Sequence, residues 1–159
     1  MTRWAALLHD RTGVASLEAA LLTSLLLVPM LGGAADAGLL LDAWGKVTRA
    51  EQAGLLSAWG SGASPATIQA AAQTAYGSAS PAPTIPLPTV ACYCLPSATA
   101  YSRGNASAVS CSTTCASGNA LTQFATVSVS TTVTLPLPLP LIGFASPFAI
   151  SATATARLQ

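Results

Sequence analysis

The sequence predicts an α+β protein: a long amino-terminal transmembrane α-helix followed by a small antiparallel β-sheet domain held by disulfides. Three observations carry this. The run from Ala19 to Ala35 contains no charged residue and approaches the ~20 apolar residues a membrane-spanning helix needs. Phe124–Leu135 and Phe148–Leu158 alternate apolar with hydroxyl-bearing residues, the period of a half-buried strand. Four cysteines, Cys92, Cys94, Cys111 and Cys115, fall in two close pairs. That is the economy of small exported domains that lack a large core.

Composition narrows the function classes. The 159 residues are 52% hydrophobic but only 7% charged and 6% aromatic, with a mean hydropathy of +0.57. A soluble domain usually has about a quarter of its residues charged. All five acids (Asp10, Glu18, Asp36, Asp42, Glu51) precede residue 52, as do His9 and Lys46, and beyond it the only charges are Arg103 and Arg157. A domain without carboxylate, histidine or lysine lacks the groups for ordinary general acid–base chemistry, so the expectation is a protein that is not an enzyme and takes no cofactor. A net charge of +1 offers no footprint for nucleic acid.

In chain order, residues 1–13 read as a short basic leader, with His9 one of its polar residues. Residues 14–60 read as one helix. Pro29 lies inside it, a break that membrane helices tolerate better than soluble ones. Past the apolar run, Leu41, Trp44 and Val47 recur at three-residue steps, Leu55, Leu56 and Trp59 form a second apolar group, and Asp42 precedes Lys46 by four, the favourable order for a helix ion pair. Unbroken from Val14 to Trp59, the rod is roughly 70 Å long. Arg3 and Arg11 before the apolar run balance Lys46 and Arg49 after it, so the positive-inside count gives no orientation.

Residues 61–88 hold a short helix, Ser64–Ala75, with Ser64 as N-cap and Pro65 at its first position, then an extended Ser/Pro/Ala linker from Gly77 to Pro88. Residues 89–159 form the β domain: a strand at Thr89–Leu95, a loop over Ser97–Asn119, a strand at Phe124–Leu135 with Val127, Val129 and Val133 on one face, a stiff Pro-Leu connector to Pro140, and a last strand at Phe148–Leu158 with Ser151, Thr153, Thr155 and Arg157 facing water. Asn105-Ala-Ser107 marks an exposed loop.

On a strand, Cys92 and Cys94 project from the same face and do not bridge each other. Pairing between the clusters follows, either 92–111 with 94–115 or 92–115 with 94–111. A four-cysteine zinc site is the rival reading, although only the second pair has the usual ligand spacing.

Glu18 stands at the mouth of the apolar run, where a carboxylate is costly without a partner. It either reaches out to interfacial water or neutralises a positive charge. Cleavage after Gly13 would make Val14 the new amino terminus and Glu18 the fifth residue. Gly13, Glu18 and the following helix resemble the prepilin-peptidase site of type IV pilin-like proteins. Together with the Cys-x-Cys and Cys-x₃-Cys clusters, the alternating Thr/Val strand, the Pro-rich turn and the closing Ala-Thr-Ala-Thr-Ala-Arg157 strand, they resemble the TadE-like minor pilins of the Tad (Flp) pilus system.

The resemblance implies a single-pass protein of the bacterial inner membrane with its carboxy-terminal domain in the periplasm. Its partners would be prepilin peptidase, other pilin or pseudopilin subunits, the inner-membrane Tad assembly platform and membrane lipid. It also implies that Glu18 pairs with a neighbouring subunit's amine, that Leu25, Leu26 and Leu27 pack against other helices, and that the four cysteines hold the domain. A competing cleavage is also written in the chain. Ala35-Asp36-Ala37 fits an A-x-A signal-peptidase site behind an apolar stretch from Ala19 to Leu31, which would release an exported binding protein starting at Gly38.

Overall fold

A computed structural model describes residues 12–60, 63–78, 80–97, 102–136 and 146–158. The expected leader up to Arg11, with His9, and the Pro-Leu connector from 137 to 140 lie outside the described residues. Five elements follow in order: α1 (Thr12–Ala58), α2 (Pro65–Tyr76), β1 (Thr89–Leu95), β2 (Ala120–Val133) and β3 (Phe148–Arg157). The protein is α+β, a long amino-terminal apolar helix leading into a three-stranded antiparallel sheet of order β1-β2-β3.

α1 runs unbroken for 47 residues, through Pro29. Beyond Asp36 its buried face is a stripe of mostly small residues, Ala43, Val47, Ala50, Gly54 and Ala58, spaced three or four apart so that they share one side of the helix. The large residues that the sequence groups as apolar fall elsewhere: Leu41, Trp44, Leu56 and Trp59 are all more than half exposed. The stripe is small because the helix lies close to the sheet. A Cβ placed on Gly54 would stand 3.1 Å from Cγ1 of Val127 and 3.5 Å from Cβ of Ala72. Asp42 and Lys46 form the expected ion pair on the surface.

α2 begins as the sequence predicts. The hydroxyl of Ser64 accepts from the amide of Thr67, and Pro65 opens the helix. Gly77 ends it at φ +80°, where its amide donates to the carbonyl of Gln73 at 3.1 Å; the left-handed region favours glycine at this position. Ile68, Ala72 and Tyr76 face the same core as the α1 stripe.

β2 is the central strand and starts four residues earlier than the alternation predicts, at Ala120 rather than Phe124. Ala125, Val127, Val129, Thr131 and Val133 point under the helices and are buried. Thr131 is the polar member of that row, with its hydroxyl 3.3 Å from the hydroxyl of Tyr76, which donates to the carbonyl of Pro81 at 3.0 Å.

The linker before β1 continues the edge of β2: Thr84 and Ser130 exchange both backbone hydrogen bonds, at 2.7 and 3.0 Å. Pro86 and Pro88 follow. Neither can donate to a ladder, so pairing lapses there and resumes at Thr89 opposite Thr126.

β2 and β3 pair without a break from Phe124 opposite Arg157 to Val133 opposite Phe148. Ile150 and Ala156 of β3 are buried, while Ser151, Thr153 and Thr155 face solvent. On the opposite face of the sheet Tyr93, Leu95 and Phe124 make a second, smaller cluster. The rings of Tyr93 and Phe124 meet edge to face, 5.7 Å between centroids.

Candidate functional site

Two features stand apart from the core: the bare half of α1 and the stapled end of the sheet. Glu18 is exposed on the bare half. Around it Leu17, Leu21 and Leu22 are 64%, 61% and 68% exposed. Leu25, Leu26 and Leu27 are also exposed. Successive residues turn by about 100° around a helix, so these three spread the apolar surface over more than half its circumference instead of forming one seam. Gly13 and Val14 lie in the first turn of α1.

By length and composition α1 can cross a membrane, and only 6% of its most apolar stretch is buried. Such a helix is suited to be a membrane anchor or a signal sequence. The bare half and the packed half are one rod, and the change between them falls near Asp36. Asp36 and Gly54 are 18 residues apart, about five helical turns, so both lie on the same side of α1 as the buried stripe.

Asp36 is only 7% exposed, and its Oδ1 has no hydrogen-bond partner. The sequence reading used Asp36 only as the middle of a cleavage motif and missed its burial. The signal was available: Asp36 precedes Ala43, Val47, Ala50 and Gly54 by 7, 11, 14 and 18 residues, the spacing of a shared helix face.

At the far end of the sheet the cysteines resolve the pairing that spacing left open. Cys92 bonds to Cys111 and Cys94 to Cys115. The first cysteine of β1 therefore takes the nearer partner, and the isolated bridge between Cys92 and Val109 sets that order, with the amide of Val109 donating to the carbonyl of Cys92 at 2.8 Å. With all four sulfurs bonded in pairs, none remains as a thiolate ligand. Among the described residues no three His, Cys, Asp or Glu side chains come together.

The stapled loop is further held by Arg103, whose Nη1 donates to the Tyr93 hydroxyl at 2.8 Å while the guanidinium lies 5.7 Å from the ring centroid. Asn105 sits exposed in the turn of this loop. Disulfides of this kind belong to an oxidising, extracytoplasmic compartment.

The arrangement thus defines a class, an apolar anchor or signal helix continuous with a disulfide-stapled α+β domain. No protein-family model matches the chain, and no curated protein and no solved structure matches it either.

Proposed function

We propose that the chain is a TadE-like minor pilin, a non-catalytic structural subunit of Tad-type pilus biogenesis. Prepilin peptidase removes the residues up to Gly13, leaving Val14 as the amino terminus. The bare half of α1 then holds the subunit in the bacterial inner membrane, with the stapled domain in the periplasm. On assembly, Glu18 neutralises the terminal amine of a neighbouring pilin, and the leucines from Leu21 to Leu31 pack among its helices. The assembly platform of the inner membrane is the machine that extracts it.

The observation that carries this reading is the single helix that is bare through Leu31 and buried along one face from Ala43 onward. Its one carboxylate in the bare half, Glu18, stands five residues after Gly13. A pilin-like subunit needs this geometry, because the helix that leaves the bilayer must drag a folded domain with it. The acid at its entry costs little only when it meets a cation.

A second reading is favoured by the start of the buried stripe. Ala43 through Ala58 all lie beyond Ala37, so cleavage at Ala35-Asp36-Ala37 would leave that stripe whole and release an exported binding protein. Intact mass and amino-terminal sequencing of the protein from bacterial membranes separate the two. The pilin reading expects Val14 as the first residue and loss of pilus assembly in Glu18→Ala with the protein still present. A first residue of Gly38 refutes it.

A further inference from the structure

The sheet has two edges, and they are not alike. The β1 edge is engaged at Cys92 by Val109 and is tied by two disulfides to the loop beside it. Among the described residues the β3 edge is unpaired. Backbone groups alternate sides along a strand, and the amide of Leu158 donates to the carbonyl of Gln123 on β2. The even-numbered residues of β3 therefore bond to β2. Ala149, Ser151, Thr153, Thr155 and Arg157 turn their amides and carbonyls outward, and among the described residues no strand pairs with them.

Natural sheets guard such an edge with prolines, bulges or charges. β3 contains no proline, its register is unbroken, and its single charge is Arg157 at the end.

Two further features say what would lie there. Along the inner side of the edge runs a groove of about 420 Å³ lined by Leu40, Leu41 and Trp44 of α1 and by Phe148 and Ile150 of β3. It would receive the aliphatic side chains of an added strand. At the other end Nε of Arg157 is buried without a hydrogen-bond partner, and the chain carries no acid beyond Glu51. Among the described residues no carboxylate pairs with Arg157, so an acid on an incoming strand would give it a partner.

We propose that the β3 edge accepts a β-strand donated by a second protein, with aliphatic residues facing the α1 groove, hydroxyl residues facing outward and an acid beside Arg157. Main-chain pairing gives such strand addition its affinity, and the pockets give it specificity.

A second copy of this chain fits the edge poorly. α1 runs beside β3 in the same sense, since Leu40 and Leu41 flank Phe148–Ser151 while Gly54 flanks Val127, the partner of Ala154. An antiparallel β3–β3 pair would thus point the two bare helix halves in opposite directions. A two-fold axis along the strands instead sets outward amides at equal heights, where parallel pairing needs a stagger. The exclusion of the antiparallel pair rests on α1 anchoring both copies in one bilayer, the reading proposed above.

The test uses the full chain in detergent micelles and amide hydrogen exchange by NMR. The probe is a synthetic peptide of alternating valine and serine with an aspartate at its amino end. In the free chain the amides of Ser151, Thr153 and Thr155 are expected to exchange faster than those of Ile150 and Ala152. Saturating peptide slows them by about tenfold or more. Thr153→Pro removes an outward donor and leaves the β2 ladder intact, since proline is tolerated on that side of an edge strand; it abolishes the peptide's effect. Asparagine in place of the aspartate weakens binding by about two- to fivefold, the worth of a partly exposed ion pair.

Equal protection in the free chain, full protection of Thr153→Pro, or protection that grows with protein concentration without peptide each overturns the proposal, the last in favour of a second copy. The outcome is read independently of processing. A mature start at Val14 with no peptide effect refutes the strand site alone, and a start at Gly38 with a peptide effect refutes the pilin reading alone.

Discussion

The contact between Gly54 and Val127 sets how closely the long helix lies on the sheet, and a double-variant cycle measures it. Val127 is fully buried. Val127→Ala removes two methyl groups, about 1.6 kcal/mol of transfer free energy, and the void left behind raises the cost to about 2.5 kcal/mol. Gly54→Ala gains about 1 kcal/mol of helix propensity. Its methyl, however, would stand 3.1 Å from Cγ1 and 3.5 Å from Cγ2 of Val127, inside the comfortable separation of about 3.5–4.0 Å. Overpacking of this kind costs about 1–3 kcal/mol, so the single variant is destabilised by about 1 kcal/mol net.

In the double variant both offending methyls are gone, and the new one partly fills the void. The expected total is about 1.5 kcal/mol rather than the additive 3.5, a coupling of about 2 kcal/mol, within the range measured for residues in contact. The assay is urea unfolding of the full chain in micelles, followed by the fluorescence of Trp44 and Trp59 on α1. Additivity to within about 0.5 kcal/mol would refute the close approach and with it the reason for a glycine at this position.

Two further outcomes follow from the packing. Replacing Cys92 and Cys111 by alanine opens a loop with a sequence separation of 19, which chain entropy values at about 3 kcal/mol; the urea midpoint reads the loss, and peptide mapping of the unaltered protein must return the 92–111 and 94–115 pairs. Tyr76→Phe deletes the hydroxyl that donates to Pro81 and to Thr131, leaving the buried Thr131 hydroxyl only its long 3.5 Å bond to the Pro81 carbonyl, and unfolding should show a loss of about 1 kcal/mol.

Much of the fold was legible because local chemistry and tertiary structure agree. Ser64 and Pro65 announced α2, the Ser/Thr–Val alternation announced β2, the Ser/Thr–Ala alternation announced β3, and the length of the apolar run carried α1 through its internal glycines and Pro29. The bounds of β1 came out as read, Thr89 to Leu95.

What stayed hidden was decided by contacts between distant segments. The cysteine pairing depended on Val109 meeting Cys92. The core face of α1 was only partly legible: of the spaced apolar residues Val47 is buried, but a helix lying close on a sheet fills the rest of that face with Ala43, Ala50, Gly54 and Ala58 and turns Trp44 and Trp59 outward. The early start of β2 at Ala120 has the same origin: Leu121 and Thr122 show little alternation, and their pairing with Cys94 and Tyr93 draws them into the sheet. Of the candidate site, the position of Glu18 was plain from spacing alone, and the burial of Asp36 required the helix face to be traced through to Gly54.

The same α1 rod that is bare at Leu25 forms the spine of the domain at Val47, with helix throughout and no loop between the two. Traction applied along the amino-terminal half therefore reaches the core through the helix itself, and the domain moves relative to its stem only where that helix bends. Pro29 leaves the carbonyl of Leu25 without its helical donor, so it is the compliant point of the shaft, and it lies well short of the first core residue at Ala43. A sideways load on the stapled tip is expected to flex the shaft at Pro29 before it shears the sheet from the helix, sparing the packed interior from bending.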